Sequence, residues 1–267
     1  MLPLFSDQLP TNADDLARML EQSLRQIVDT KGDVVAVIEK AFPELRELRI
    51  NLDGTRLRAD AARPSAISGE TMQAFRVENF ALSAKGIRVE EISLDLSMQA
   101  ANLQLHQVRD RNRRLVLVFH AADSGSINVS VGKMDLEKLT LAIARREAEK
   151  HGVAIEDLKL SLNSPGPRAI EGTVQLHARK SFFRGIIRIA ARLEVNEKLV
   201  AKVSGLTCTG EGAIGNMAAG MLRPRLQSFD GRELNLTALP LGEISLRDIE
   251  IVAGDKLEVS AQFGHVS

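Results

Sequence analysis

The sequence predicts an α+β protein built on a long, strongly curled antiparallel sheet wrapped on one or two helices, with an amphipathic helix at its N-terminus. Three observations carry this. Apolar and polar residues alternate over most of the chain, so most strands have one wet face and one buried face. Helical spacing is confined to a few short stretches. The strands follow one another as a meander, without the regular βα alternation of a doubly wound fold.

The elements follow in order. Leu16, Met19, Leu20, Leu24, Ile27 and Val28 recur at helical spacing, and Thr11, Asn12 and Asp14 are candidate caps. The apolar stretch Val34 to Phe42 reads as a continuation or restart of that helix before Pro43. Residues 1–44 thus form a helical segment expected to pack on a β-rich domain spanning 45–267. From Leu45 the period becomes two, and Asp53-Gly54 offers a hairpin turn into Arg56 to Ala61. Alternation resumes over Phe75 to Ala84, Ile92 to Leu105 and Leu115 to Phe119. Ser124-Gly125-Ser126 reads as a turn into a strand at Ile127 to Val131. A helix then runs from about Asp135 to His151-Gly152, with Leu136, Leu139, Ile143 and Ala142 as its apolar stripe. Strands return at Ile155 to Leu162, Ile170 to Ala178, Ile186 to Val195 and Leu199 to Leu206. A Met-rich helix spans Ile214 to Phe229, and three more strands lie within Leu234 to Phe263.

Composition narrows the function classes. The 267 residues carry 35 bases and 35 acids, so no global field recruits nucleic acid. Trp and Tyr are absent, which removes the usual stacking platforms for bases and sugars. The lone Cys208 cannot form an internal disulfide and reads as a buried thiol. The five histidines show no metal spacing, and adjacent carboxylates such as Glu90-Glu91 and Glu156-Asp157 point to opposite faces of a strand. No Gly-x-Ser-x-Gly elbow exists. The expectation is a protein that is not an enzyme and holds no metal or cofactor. Met1 to Pro10 lacks a basic and apolar leader pattern, so the expected location is cytoplasmic, with export unsupported.

Four motifs carry more weight. Gly210-Glu211-Gly212-Ala213-Ile214-Gly215 matches G-x-G-x-x-G, follows a strand and opens a helix. The short remainder of antiparallel strands and the acid at Glu211 favour a structural glycine turn over a dinucleotide site. On the helix that follows, Ile214, Met217, Ala218, Met221 and Leu222 share a face. Met adapts to irregular apolar surroundings, whether an ordinary core or a cavity lined for an apolar ligand. Leu139 and Ile143 are candidates for the same lining. Arg179-Lys180-Ser181-Phe182-Phe183-Arg184 reads as a hairpin tip, with two aromatics that cannot share one sheet face and bases suited to anionic headgroups. Arg109 to Arg114 is a second basic turn, read as a solvated loop that could assist docking on acidic lipids.

Gly212 to Leu226, with Gly212, Gly215-Asn216-Met217-Ala218-Ala219-Gly220-Met221-Leu222-Arg223-Pro224-Arg225-Leu226, resembles the LmeA-like phospholipid-binding family. So do Leu239-Pro240-Leu241-Gly242, Ser245 to Ile249 and Gly254-Asp255-Lys256-Leu257, and upstream Gly86-Ile87, Ile92 to Leu96 and the Gly125-Ser126-Ile127 strand. The resemblance implies a tubular lipid-binding fold in which a curled sheet wraps a helix and encloses lipid. It offers no catalytic residues. Exported members begin with a leader or anchor, a pattern this N-terminus does not show. The resulting expectation is a non-catalytic binder or carrier of phospholipid or another acyl lipid, touching membranes peripherally and binding no nucleic acid. A ligand-free scaffolding domain and a nucleotide-dependent enzyme using the Gly210 turn are the alternatives.

Overall fold

The computed structural model describes residues 1–61, 71–238 and 244–264. The Leu239-Pro240-Leu241-Gly242 motif and His265 lie outside them. The described chain is mixed α+β, 57% strand and 19% helix with three helices, so the α+β class holds; neither of its large sheets is strongly curled. It forms two compact units, neither of which is bounded near residue 44. Unit 1 contains Met1–Val129 with the described parts of Leu239–Asp248 and Ser260–Ser267, and unit 2 contains Ser130–Ala238 and Ile249–Val259.

Unit 1 opens with β1 (Leu2–Pro3) and α1 (Ala13–Arg25). Of the candidate caps, Asn12 is the one used: its side-chain oxygen accepts from the Asp15 amide at 2.8 Å. Leu16, Leu20 and Leu24 then fall on one buried face at i, i+4, i+8. The helix ends at Arg25, and Val28 belongs to β2 (Val28–Asp29) instead.

The stretch expected to continue the helix is a strand, β3 (Val35–Ala41), paired antiparallel with β4 (Glu44–Asn51). The reason is side-chain shape and period. β-Branched Val35 and Val37 alternate with Ala36 and Ile38, and opposite Ile50 and Leu48 they fit a pleated surface better than a helix. The Asp53-Gly54 turn forms, with Gly54 at φ +67°, but it does not close a hairpin. The short β5 (Arg56–Leu57) pairs with β2, while β4 runs parallel to β6 (Met72–Val89). Asp53 explains the redirection, because its carboxylate accepts from the Ser83 hydroxyl at 2.6 Å and the Lys85 amide at 2.7 Å. The turn is thereby stapled to β6 rather than folded back on β4.

β7 (Ile92–Arg109) returns antiparallel to β6, followed by β8 (Leu115–Ala121), which pairs with β7 and β1. β9 (Ser124–Gly132) begins at Ser124, so the expected Ser-Gly-Ser turn is strand. A Cβ on Gly125 would lie 2.1 Å from the Phe263 ring, and that buried ring is why glycine stands there. Leu45, Leu48 and Ile50 of β4, Phe75 and Val77 of β6, Leu103 and Leu105 of β7 and Leu117 of β8 join Leu16 and Leu20 in one core.

Unit 2 contains α2 (Lys133–Glu149), β10 (Ala154–Gly166), β11 (Ala169–Lys180), β12 (Phe183–Val195), β13 (Val200–Glu211), α3 (Gly212–Gln227) and β14 (Glu233–Asn235). The chain closes with β15 (Leu246–Ala253) and β16 (Lys256–Phe263), each divided between the units. β10 to β14 form an antiparallel sheet in chain order.

Candidate functional site

The register of unit 2 sorts its side chains by face. Leu158, Leu176 and Ile187 stand opposite one another across β10, β11 and β12, and Leu160, Val174, Ile189 and Cys208 form the next row. These rows make one apolar face. The residues between them, including Lys159, Gln175, Arg188 and Thr209, make a polar face crossed by ion pairs such as Arg192 with Glu171 at 2.9 Å.

Two helices sit on the apolar face, but over different strands. α2 packs on β10, and α3 packs across β11, β12 and β13. The flanks of each helix can be assigned from its hydrogen bonds. Arg145 of α2 donates to the Ile155 and Glu156 carbonyls of edge strand β10, at 3.0 and 3.1 Å. Leu139, Ile143 and Glu147, spaced i, i+4, i+8, therefore lie on the flank turned toward the middle of the sheet. Arg223 of α3 donates to the Cys208 carbonyl of β13 at 3.2 Å. That leaves Met217, Met221 and Arg225 on the flank turned toward α2. Glu147 corroborates the pairing of flanks: its carboxyl is held below the usual range by a hydrogen bond and charge from Lys150, and further by the charge of Arg225 across the gap.

The flanks so assigned, over the β10–β12 apolar rows, outline a candidate groove between α2 and α3. The candidate lining residues divide by depth. Ile214 is buried and Leu222 packs on the core beneath the groove. Leu139 and Ala218 are half-buried at its base. Ile143, Met217 and Met221 are 53%, 40% and 59% exposed on its rim. The expected apolar stripe of α2 is rotated: Leu136, Leu141, Ala144 and Ala148 meet the core, while Ala142 is exposed. The groove thus opens to the surface, where an enclosed interior was expected.

The glycine motif is used for packing. A Cβ on Gly210 would lie 2.0 Å from the Gly215 carbonyl oxygen, and one on Gly185 would lie 2.2 Å from the Gly215 amide nitrogen. The first turn of α3 thus rests on the β12–β13 backbone, and Glu211 is ion-paired with Arg188. The Gly215 amide, one of the groups a pyrophosphate would need, is pressed against the sheet.

Arg179 to Arg184 is the tip joining β11 to β12, as its alternation predicts. Lys180 stands opposite Phe183, Ser181 takes φ +54°, and Phe182 and Phe183 are 99% and 61% exposed. The other basic turn is organised internally. Buried Asp110 accepts from the Asn112 and Arg114 amides at 2.8 and 2.9 Å and pairs with the Arg114 guanidinium at 3.2 Å. Burial pushes its carboxyl up, but these donors outweigh burial and hold it below the ordinary value. Its stabilising effect is therefore full above the unfolded carboxylate value, about 3.9, and is lost as pH falls through the folded one. Asp110→Ala should cost about 1–3 kcal/mol in urea denaturation at pH 7. The gap from the wild type should shrink at acid pH; a gap that does not depend on pH would contradict this role.

Some neighbours escaped the sequence. The His106 and His120 rings stack at 3.6 Å between centroids with planes 14° apart, a contact of adjacent strands that no linear spacing reveals. Parallel rings do not converge on a shared ion, and no cluster of three or more His, Cys, Asp or Glu side chains occurs among the described residues. Cys208 is buried, and that burial pushes its thiol up and away from reactivity. In unit 1 a trough of about 580 Å³ with a mixed lining lies over the sheet, between polar Glu47, Arg49, Asn79 and Gln99 and apolar Phe80 and Ala100. No helix among the described residues is long and apolar enough to cross a membrane. No protein-family model, curated protein or solved structure significantly matches this chain.

Proposed function

We propose that this chain is a non-catalytic lipid-binding protein that holds the acyl chains of a phospholipid or similar lipid in the groove between α2 and α3. One observation carries the reading: Ile143, Met217 and Met221, on facing flanks of two helices over an apolar sheet, are left open to solvent. Covering such side chains gains about 0.8 kcal/mol per buried methylene, and methionine adapts to chains of differing shape. Kinship with the LmeA-like proteins belongs to this proposal. Long strands interrupted by helices support it, with the binding site here an open trough rather than a closed tube.

Binding of a phospholipid with a fluorescent acyl chain tests the reading. The full chain should enhance its emission saturably, and unlabelled phospholipid should compete. Absence of enhancement would instead favour a ligand-free scaffolding domain. The well-filled floor, where Leu176 and Ile187 are 6% and 2% exposed, is the feature that suits that second reading.

A further inference from the structure

We propose that the β11–β12 tip is a membrane anchor for anionic bilayers, with Phe182 and Phe183 entering the interface while Lys180 and Arg184 meet lipid phosphates. The proposal takes the lipid reading as its context, but its test does not depend on the groove.

Geometry favours a bilayer over a protein partner. Phe182 and Phe183 are consecutive residues at the end of a hairpin, both largely exposed. Phe182 lies in the turn itself and Phe183 at the first position of β12, so the two rings project from the end of the hairpin and not from one face of a strand that a flat protein surface could cover. A fluid interface surrounds the tip and covers both.

Charge specifies the kind of bilayer. Arg179 and Arg184 stand directly opposite one another on the two strands, and like charges so placed repel. Arg179 is neutralised by Glu156 at 2.9 Å. Arg184 has no carboxylate partner among the described residues, and the Lys180 ammonium donates only to the His151 carbonyl, at 3.2 Å. Two cations beside exposed aromatics are thus available to anionic headgroups.

The tip also lies where the groove ends. The Lys180–His151 bond places it at the C-terminus of α2. The first residue of α3 touches it as well, since a Cβ on Gly212 would lie 2.9 Å from the Arg184 carbonyl oxygen. Docking by the tip would therefore bring the mouth between α2 and α3 to the membrane surface, where a lipid tail could enter.

The chain lacks Trp and Tyr, so Phe182→Trp supplies a sole indole reporter. The full-length protein should float with phosphatidylcholine vesicles containing phosphatidylserine, should bind pure phosphatidylcholine far less, and should be released by high salt. In bound Phe182→Trp, emission should shift to the blue and be quenched by brominated lipid. Each base near an anionic surface raises partitioning about fivefold, so Lys180→Glu with Arg184→Glu should weaken binding about 25-fold or more. Phe182→Ser with Phe183→Ser should weaken it at least about tenfold while lowering Tm little, because Phe182 is fully exposed and Phe183 largely so. The anchor is overturned if the protein ignores both vesicles, if the serine variant binds like the wild type, or if the bound indole stays solvent-like. Equal binding to neutral vesicles would overturn the headgroup assignment. Ile143→Glu with Met221→Glu separates the two readings, since docking should survive it while acyl-probe uptake is lost.

Discussion

Gly215→Ala is expected to destabilise the protein by about 3 kcal/mol or more, whereas Gly220→Ala, five residues along the same helix, should be neutral or stabilise it by up to about 1 kcal/mol. At Gly215 the new methyl would meet the Ile186 carbonyl oxygen at 2.4 Å and its amide nitrogen at 3.0 Å. Both are backbone atoms inside a paired strand, so neither can turn aside as a side-chain end would. The helix must lift from the sheet, uncovering the packing of Ile214, Ala219 and Leu222. At Gly220 nothing lies within 4 Å of the added Cβ, and alanine lowers the backbone entropy lost on folding. Far-UV circular dichroism during urea denaturation gives both values. Equal stability of Gly215→Ala and the wild type would contradict the packing account and reopen the motif to a ligand role.

Ile143→Glu with Met221→Glu is expected to abolish acyl-lipid binding with little change in stability. The two side chains are 53% and 59% exposed, so replacing them leaves the core beneath intact, and exposed substitutions usually fall within about 0.5 kcal/mol. A carboxylate on each wall would have to be desolvated beside an acyl chain, a cost of several kcal/mol that Arg225, already facing Glu147, offsets only in part. Leu176→Ala is the useful contrast. It removes a buried floor residue and should cost about 2–5 kcal/mol of stability. Retention of acyl-probe binding by the double glutamate variant would place the lipid somewhere other than this groove.

Much of the fold was readable as a linear pattern, and the exceptions share a cause. Strands β10 to β13 and helices α1 to α3 follow from periods of two and 3.6, and Asn12 from its place before the first helical turn. The Phe182-Phe183 tip was readable because it falls between the alternating runs of β11 and β12. What sequence could not show depends on partners distant in the chain. Val35 and Val37 become strand because Ile50 and Leu48 stand opposite them. Asp53 fails to make a hairpin because Ser83 and Lys85, some thirty residues later, capture its carboxylate. The glycines of the 210–215 motif were conspicuous, but their role needed Gly185 and Ile186 of β12. The lining residues were named as one set, yet the rotation of α2 that separates Ile143 from Leu136 is fixed by Arg145 reaching the β10 edge.

The most direct measurement is native mass spectrometry of the full-length protein after gentle purification, with lipid analysis of an organic extract. The expected result is a species heavier than the chain by the mass of a phospholipid or another acyl lipid, absent from the Ile143→Glu, Met221→Glu variant. Recovery of only the bare chain, from a preparation that also takes up no acyl lipid from vesicles, would contradict it.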